Sequence, residues 1–264
     1  MSSTGPPAGS MLEPLLRLDD VSVSYGGVRA LDRLSFVVAE GSLHGLIGPN
    51  GAGKTTTLDA LTGFTPHRGR VHFDGEDLTG WPPHARARRG LVRTWQSLEL
   101  FEDLTVLENC RVATARQGIR VTLGELVGMH RRADASDGAD VDWAIDLLGL
   151  GPIVHRRPSE LSLGQRKLAA LARALARRPR MLLLDEPAAG LDTGESQALG
   201  ERLTQVVAGG VTLLLVDHDM GLVLGVCDRV TVLDFGRVIA EGTPEQIRYD
   251  HRVVEAYLGE ASAS

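Results

Sequence analysis

The feature that most constrains this chain is Gly48-Pro49-Asn50-Gly51-Ala52-Gly53-Lys54-Thr55-Thr56, which fits a glycine, four free positions, then Gly-Lys-Thr. Leu43 to Ile47 before it reads as a buried strand, and Thr56 to Thr62 after it as a helix stopped by Gly63. Between a strand and a helix, such a loop lets glycines bring backbone N–H groups against polyphosphate, while the helix N-terminus adds partial positive charge. Charge-assisted hydrogen bonds are worth roughly 1.5–3 kcal/mol each, against roughly 0.3–1 kcal/mol for the helix dipole. The amides and Lys54 therefore do most of the binding, and Thr55 offers its hydroxyl to Mg²⁺.

At 264 residues and 28.3 kDa the chain can bury one substantial core, or one domain with an inserted subdomain. Its net charge of −6, from 28 basic and 34 acidic residues, disfavours a nucleic-acid footprint. Cys110 and Cys227 show no metal-type pairing and read as small buried apolar residues, which suits a reducing compartment. The densest apolar run, Val211 to Val216, has the length of a strand and falls far short of the roughly 20 residues of a membrane span. We therefore expect a soluble protein whose membrane role, if any, requires a partner. Met1 to Ser10 is rich in Ser, Gly and Pro and lacks the regions of a signal peptide, so residues 1–14 read as a flexible tail, with Met11 a second candidate start.

From Leu16 to Val38 the pattern is β-like, with Leu16 to Leu18, Val21 to Tyr25 and, after the Gly26-Gly27 turn, Leu34 to Val38. This predicts a small antiparallel sheet ahead of the nucleotide core. Tyr25, ending a strand beside two glycines, is either an ordinary strand tyrosine or a ring against a base. Val71 to Phe73 suggests another strand, and Leu91 to Gln96 runs into a loop at 97–103. Thr105-Val106-Leu107-Glu108 has capping-box form and opens a helix through Val112. From about Gln117 to Glu160 the texture is helical, broken near Arg131-Arg132, which reads as a solvated face. Val141, Ala144, Ile145 and Leu148 recur at helical spacing. We place the helical subdomain at about 97–178.

Ser162 and Gln165 form a second capping box, and Leu168, Leu171 and Leu175 mark the buried stripe of the helix that follows. Its N-terminus is either simply well capped or a second anion site. Met181-Leu182-Leu183-Leu184-Asp185-Glu186 is a continuous apolar strand, as in a parallel sheet covered on both faces. It ends in two carboxylates that strand alternation turns apart, Asp185 toward Mg²⁺ and Glu186 toward a water attacking a γ-phosphate. Gly190-Leu191-Asp192 reads as a loop. Val211 to Val216 delivers Asp217-His218-Asp219 to the edge where open α/β sheets bind ligands, which makes His218 a γ-phosphate contact. Gln96, at the exit of another core strand, can reach Mg²⁺ or the attacking water. Asp234-Phe235-Gly236 reads as a hairpin turn, and Thr243-Pro244-Glu245-Gln246 opens a terminal helix.

Taken in order, Tyr25, Gly48 to Thr56, Gln96, Leu161 to Gln165, Asp185-Glu186, Gly190 to Asp192 and His218 resemble an ABC-type ATPase, over nearly the whole chain from Leu16 to Gly259. The resemblance implies an α/β P-loop ATPase core at 15–264, with a mostly parallel sheet, an N-terminal antiparallel β-subdomain and an inserted helical subdomain. It implies ATP and Mg²⁺ as ligands. Tyr25, the loop from Gly48 to Thr56 and, from a partner, Ser162, Gly164, Gln165 and Asp192 would hold the nucleotide. Thr55, Gln96 and Asp185 would serve the metal, with Glu186, His218 and Gln96 catalytic. It also implies a head-to-tail homodimer or a heterodimer with a paralogous ATPase subunit. Transmembrane permease subunits would contact the groove near 96–112 at the cytoplasmic face of the membrane, a substrate-binding protein would act indirectly, and no nucleic acid is expected.

Within the family, Arg93-Thr94-Trp95-Gln96, Glu186 to Asp192, His218-Asp219-Met220, Gly242 to Ile247 and Val254 to Gly259 resemble ATP-binding subunits of branched-chain amino acid importers. Trp95 departs from the subgroup's phenylalanine, and Leu163 from the family's signature glycine, where we expect a change of shape and not a loss of activity. Urea and amide importers and lipopolysaccharide-export ATPases share these features. A soluble non-transport ABC ATPase would favour tandem nucleotide domains, a long coiled coil or a basic face.

Overall fold

The alternating apolar residues of the N-terminal segment form two long strands, β1 (Pro14–Tyr25) and β2 (Val28–Ala39), paired antiparallel across the Gly26-Gly27 turn. The two short segments expected before that turn are one strand, kinked at a register shift between Leu18 and Val21 where Asp20 has φ 51°. Pro14 already pairs with Ala39, so the strand begins one residue inside the expected tail. Residues 14–94, 100–114 and 135–261 are described by the computed structural model. Trp95, Gln96, Arg131-Arg132 and the first ten residues lie outside them.

β3 (Leu43–Ile47) leads through the glycine-rich loop into α1 (Lys54–Thr62), which ends at the left-handed Gly63. β4 (Arg68–Phe73) and β5 (Glu76–Asp77) complete an antiparallel sheet in the order β2-β1-β4-β5. After α2 (Pro83–Arg88) and β6 (Leu91–Arg93), the helical layer contains, among the described residues, α3 (Val106–Thr114), α4 (Ala135–Leu147) and α5 (Leu163–Leu175). The expected capping boxes open two of them. Glu108 Oε2 accepts from Thr105 N and the Thr105 hydroxyl from Glu108 N, with the reciprocal pair repeated at Ser162 and Gln165. Val141, Ala144, Ile145 and Leu148 are buried, as are Ala169, Leu171, Ala172 and Leu175, while Leu168 is only partly covered.

β7 (Met181–Asp185), α6 (Thr193–Ala208), β8 (Thr212–Val216), α7 (Met220–Val226), β9 (Arg229–Asp234), β10 (Arg237–Gly242), α8 (Pro244–Arg248) and α9 (His251–Ala261) follow. The second sheet runs β10-β9-β3-β8-β7-β6, parallel except for β10, which returns antiparallel to β9 after the expected hairpin turn at 234–236. Its inner strands β3, β7 and β8 are buried throughout, covered on both faces, and this explains the unbroken apolar runs of β7 and β8. Leu182, Leu184, Leu213 and Leu215 join the core beneath the helices, while Met181, Leu183, Leu214 and Val216 join the core shared with α1 and the antiparallel sheet. Both cysteines are buried thiols, and desolvation pushes Cys110 up to about 12.

Candidate active site

Because β3, β8, β7 and β6 are adjacent and parallel, their C-terminal ends line one edge of the sheet. That edge carries Gly48 after β3, Asp217-His218 after β8, Asp185-Glu186 at the end of β7 and Arg93 at the end of β6. Ligand sites of open α/β sheets lie there.

Glycine is required in the loop after β3. Gly48 has φ 153°, and a Cβ there would stand 2.1 Å from the carbonyl oxygen of Leu233. Gly53, at φ 103°, precedes α1 with no side-chain cap, so the first amides of the helix have no side-chain acceptor at that position. Lys54 is buried, and its Nζ donates to the carbonyls of Gly48 and Pro49 at 2.6 and 3.0 Å. Pro49 and Ala52 are buried, Asn50, Gly51 and Thr55 exposed, and Thr56 partly covered. The hairpin turn between β9 and β10 braces this loop, a role its sequence did not suggest. Gly236 N donates to Ala52 O at 2.9 Å, and Gly236 O accepts from Asp32 N at 2.9 Å.

At the end of β7, Asp185 is 7% exposed and accepts from Arg93 at 2.7 Å. Its neighbour corrects the expected geometry. The strand stops at Asp185, and Glu186 takes a left-handed backbone at φ 48°, held by its N–H on Val216 O at 2.7 Å. The two carboxylates are therefore separated by a turn and not by strand alternation. A non-glycine residue held in this region costs about 1 kcal/mol, and such strain collects at functional sites.

Asp217 ties this turn to β8. Fully buried, it accepts from Ala188 N and Asp219 N, each at 3.0 Å. His218 projects outward, its side chain 63% exposed, with Nδ1 3.6 Å from Asp217 Oδ1. From α5, Lys167 Nζ donates to Pro187 O at 2.7 Å. Desolvation lowers the lysine's pKa, opposed by the charges of Asp217 and Glu186.

The other expected residues stand on separate elements. Tyr25 is half exposed, and its hydroxyl lies 3.1 Å from the Thr65 hydroxyl, leaving ring surface open to solvent. Ser162 caps α5 and Gly164 and Gln165 stand in its first turn, where a Cβ on Gly164 would meet the Glu195 side chain of α6 at 3.3 Å. Leu163 packs against Gly190, where an added Cβ would stand 3.2 Å from the leucine side chain. Asp192, read as a loop residue, is the N-cap of α6, its Oδ1 accepting from Glu195 N at 2.8 Å.

A family model for the ABC transporter matches residues 31–189. The chain belongs to the ABC transporter family. A second model, described as branched-chain amino acid ATP-binding cassette transporter, matches residues 237–263 of this ABC ATPase. The cassette is 38% identical over 258 residues to the high-affinity branched-chain amino acid transport ATP-binding protein BraF of Pseudomonas aeruginosa, covering 95% of this chain and all of that one. It is likewise 38% identical to LivG of Escherichia coli K12, with the same two shares covered. Among solved structures it is similar to an ATP-binding cassette of an ABC transporter in its ADP conformation, with TM-score 0.81 and 32% identity over 94% of this chain and 99% of that one. A nucleotide-free cassette gives TM-score 0.80 and 31% identity over 92% and 98%.

Two arginines of the cassette have contacts to which sequence reasoning assigned no role. Arg93 bridges Asp185 to Asp59 of α1. Arg86, 1% exposed, donates to the carbonyls of Ala60, Leu61 and Trp81 at 2.8, 2.7 and 3.1 Å, and burial lowers its pKa. Arg93 lies in a segment read as a core strand and Arg86 in one that carries no motif; only long-range packing brings each its partners.

Proposed function

We propose that the chain is the ATP-hydrolysing subunit of an importer of branched-chain amino acids. The observation that carries this is full-length similarity to branched-chain amino acid transport ATP-binding proteins, together with one sheet edge that gathers the phosphate loop, Asp185-Glu186 and His218. No helix of the described residues is long and apolar enough to cross a membrane, in keeping with peripheral association through permease subunits at the cytoplasmic face.

Lys54 and the loop amides would hold the β- and γ-phosphates, and the open face of Tyr25 would take the base. Among the described residues no three His, Cys, Asp or Glu side chains form a metal cluster. One hydroxyl and one carboxylate, Thr55 and Asp185, suit Mg²⁺ held jointly with phosphate oxygens, with Gln96 the third expected contributor. Bound there, Mg²⁺ would neutralise charge on the transferring phosphoryl group. Glu186 accepts a hydrogen bond from the attacking water, and His218 donates to a γ-phosphate oxygen. Ser162, Gly164, Gln165 and Asp192 complete the site from a second subunit, so closure of the dimer governs hydrolysis.

The test is ATPase activity of the chain reconstituted with candidate permease subunits and a substrate-binding protein, assayed with leucine, isoleucine, valine and urea. Stimulation by the branched-chain amino acids alone supports the reading. Stimulation by urea alone redirects it to the urea importers, and hydrolysis indifferent to every ligand rejects import.

A further inference from the structure

Arg93 is the residue at the sheet edge whose side chain serves two carboxylates at once. Only 4% of that side chain is exposed. One terminal nitrogen meets Asp59 Oδ1 at 2.5 Å, in the second turn of α1, and the other meets Asp185 Oδ2 at 2.7 Å. A planar guanidinium with donors in a fixed fork can span two acceptors on different elements, which a lysine's point charge does poorly. The arrangement joins the helix behind the phosphate loop to the strand end proposed to face the metal.

We propose that Arg93 is a positioning residue that stands in for a divalent cation, neutralising the Asp59 and Asp185 carboxylates until cation and nucleotide arrive together. This rests on the reading of Asp185 as a metal-facing residue. Two poorly exposed carboxylates near one another attract a doubly charged ion strongly, because their charges are weakly screened there. Asp185 is 7% and Asp59 26% exposed at the side chain, and the guanidinium between them cancels most of that attraction. Its grip on Oδ2 also restricts the rotation of the Asp185 carboxylate. Cation binding then depends on the added negative charge of the phosphates.

The experiment titrates the nucleotide-free full chain with Mn²⁺, reading free ion by electron paramagnetic resonance. Arg93→Met, which keeps much of the bulk without the charge, should bind one Mn²⁺ at least tenfold more tightly than the parent. Adding Asp59→Asn to Arg93→Met should abolish that gain. Equal Mn²⁺ affinity in parent and Arg93→Met overturns the proposal, since a purely structural arginine would leave it unchanged. Should Arg93→Met not fold, Asp59→Asn alone removes one of the two carboxylates that share the guanidinium and leaves more of its charge to Asp185. The Mn²⁺ concentration for half-maximal enhancement of fluorescent ATP-analogue binding should then rise several-fold, and an unchanged concentration overturns the proposal. Asp185→Asn separates the two readings: if it leaves Mn²⁺ enhancement of nucleotide binding intact, the metal assignment of Asp185 fails first.

Discussion

At its N-terminus α1 meets the ligand edge through glycines and Lys54, whereas at its C-terminus the same helix runs into the core against Arg86. Both ends leave backbone groups without intrahelical partners. At the first, no side chain caps the helix, and Lys54 turns back on the carbonyls of its own loop. At the second, Gly63 closes the helix by a left-handed cap and a buried guanidinium takes two of the last carbonyls. The difference separates two roles: Lys54 is proposed to bind phosphate and its loss should cost the fold little, while the end held by Arg86 supports the fold.

The largest effect that could break this comparison lies at the core end. Arg86→Met strands the carbonyls of Ala60, Leu61 and Trp81, and each buried unsatisfied group costs about 1–3 kcal/mol. We expect about 4 kcal/mol lost in urea unfolding, with nucleotide affinity of the folded protein within twofold of the parent. An equally large loss of affinity would show that the two ends are not separable.

At the ligand edge the reverse should hold. Glu186→Gln keeps the same strained backbone and bulk, so its unfolding midpoint should stay put. Its steady-state turnover should fall by about 100-fold or more, as for loss of a general base. Near-normal turnover would remove Glu186 from that role.

The strand that feeds the loop supplies a pH test of similar size. His44 in β3 is 1% exposed, stacks on Phe36 with ring centroids 5.8 Å apart and shares a 2.8 Å hydrogen bond with the Thr231 hydroxyl. Desolvation, and then the charge of Arg229, lower its pKa to about 4 from an ordinary 6.5. Folding thus favours the neutral ring. That contribution is complete above pH 6.5, is lost as pH falls toward 4 and changes no further below it, amounting to about 3 kcal/mol. Urea unfolding across this range should show less acid sensitivity in His44→Gln than in the parent. Identical pH slopes would mean that the ring is not the group responsible.

The smallest effect sharpens the first end. Lys54→Ala should weaken ATP binding by about 2 kcal/mol, some 30-fold, from the loss of charge-assisted contacts. Its stability should change by about 1 kcal/mol, because the Gly48 and Pro49 carbonyls that lose the lysine as donor lie within the loop itself. Unchanged affinity by equilibrium titration would remove Lys54 from the phosphate site.

What the sequence determined by itself was whatever depends on neighbours in the chain. The glycine spacing around Lys54, the reciprocal caps at Thr105 and Glu108, Ser162 and Gln165, and Thr243 and Gln246, and the apolar run of β7 are local patterns with local causes. The carboxylates after β7 and the histidine after β8 could be placed at a sheet edge because a parallel sheet exposes its strand ends to ligand. Only the tertiary structure decided the strand order that sets those ends side by side, and the left-handed turn that parts Asp185 from Glu186. It alone buried Arg86 and joined Arg93 to Asp185, 92 positions away. The physical reason is distance along the chain. Arginine is ordinarily a surface residue, and its burial becomes favourable only when carbonyls or carboxylates from remote segments converge on it, which no local period or motif records.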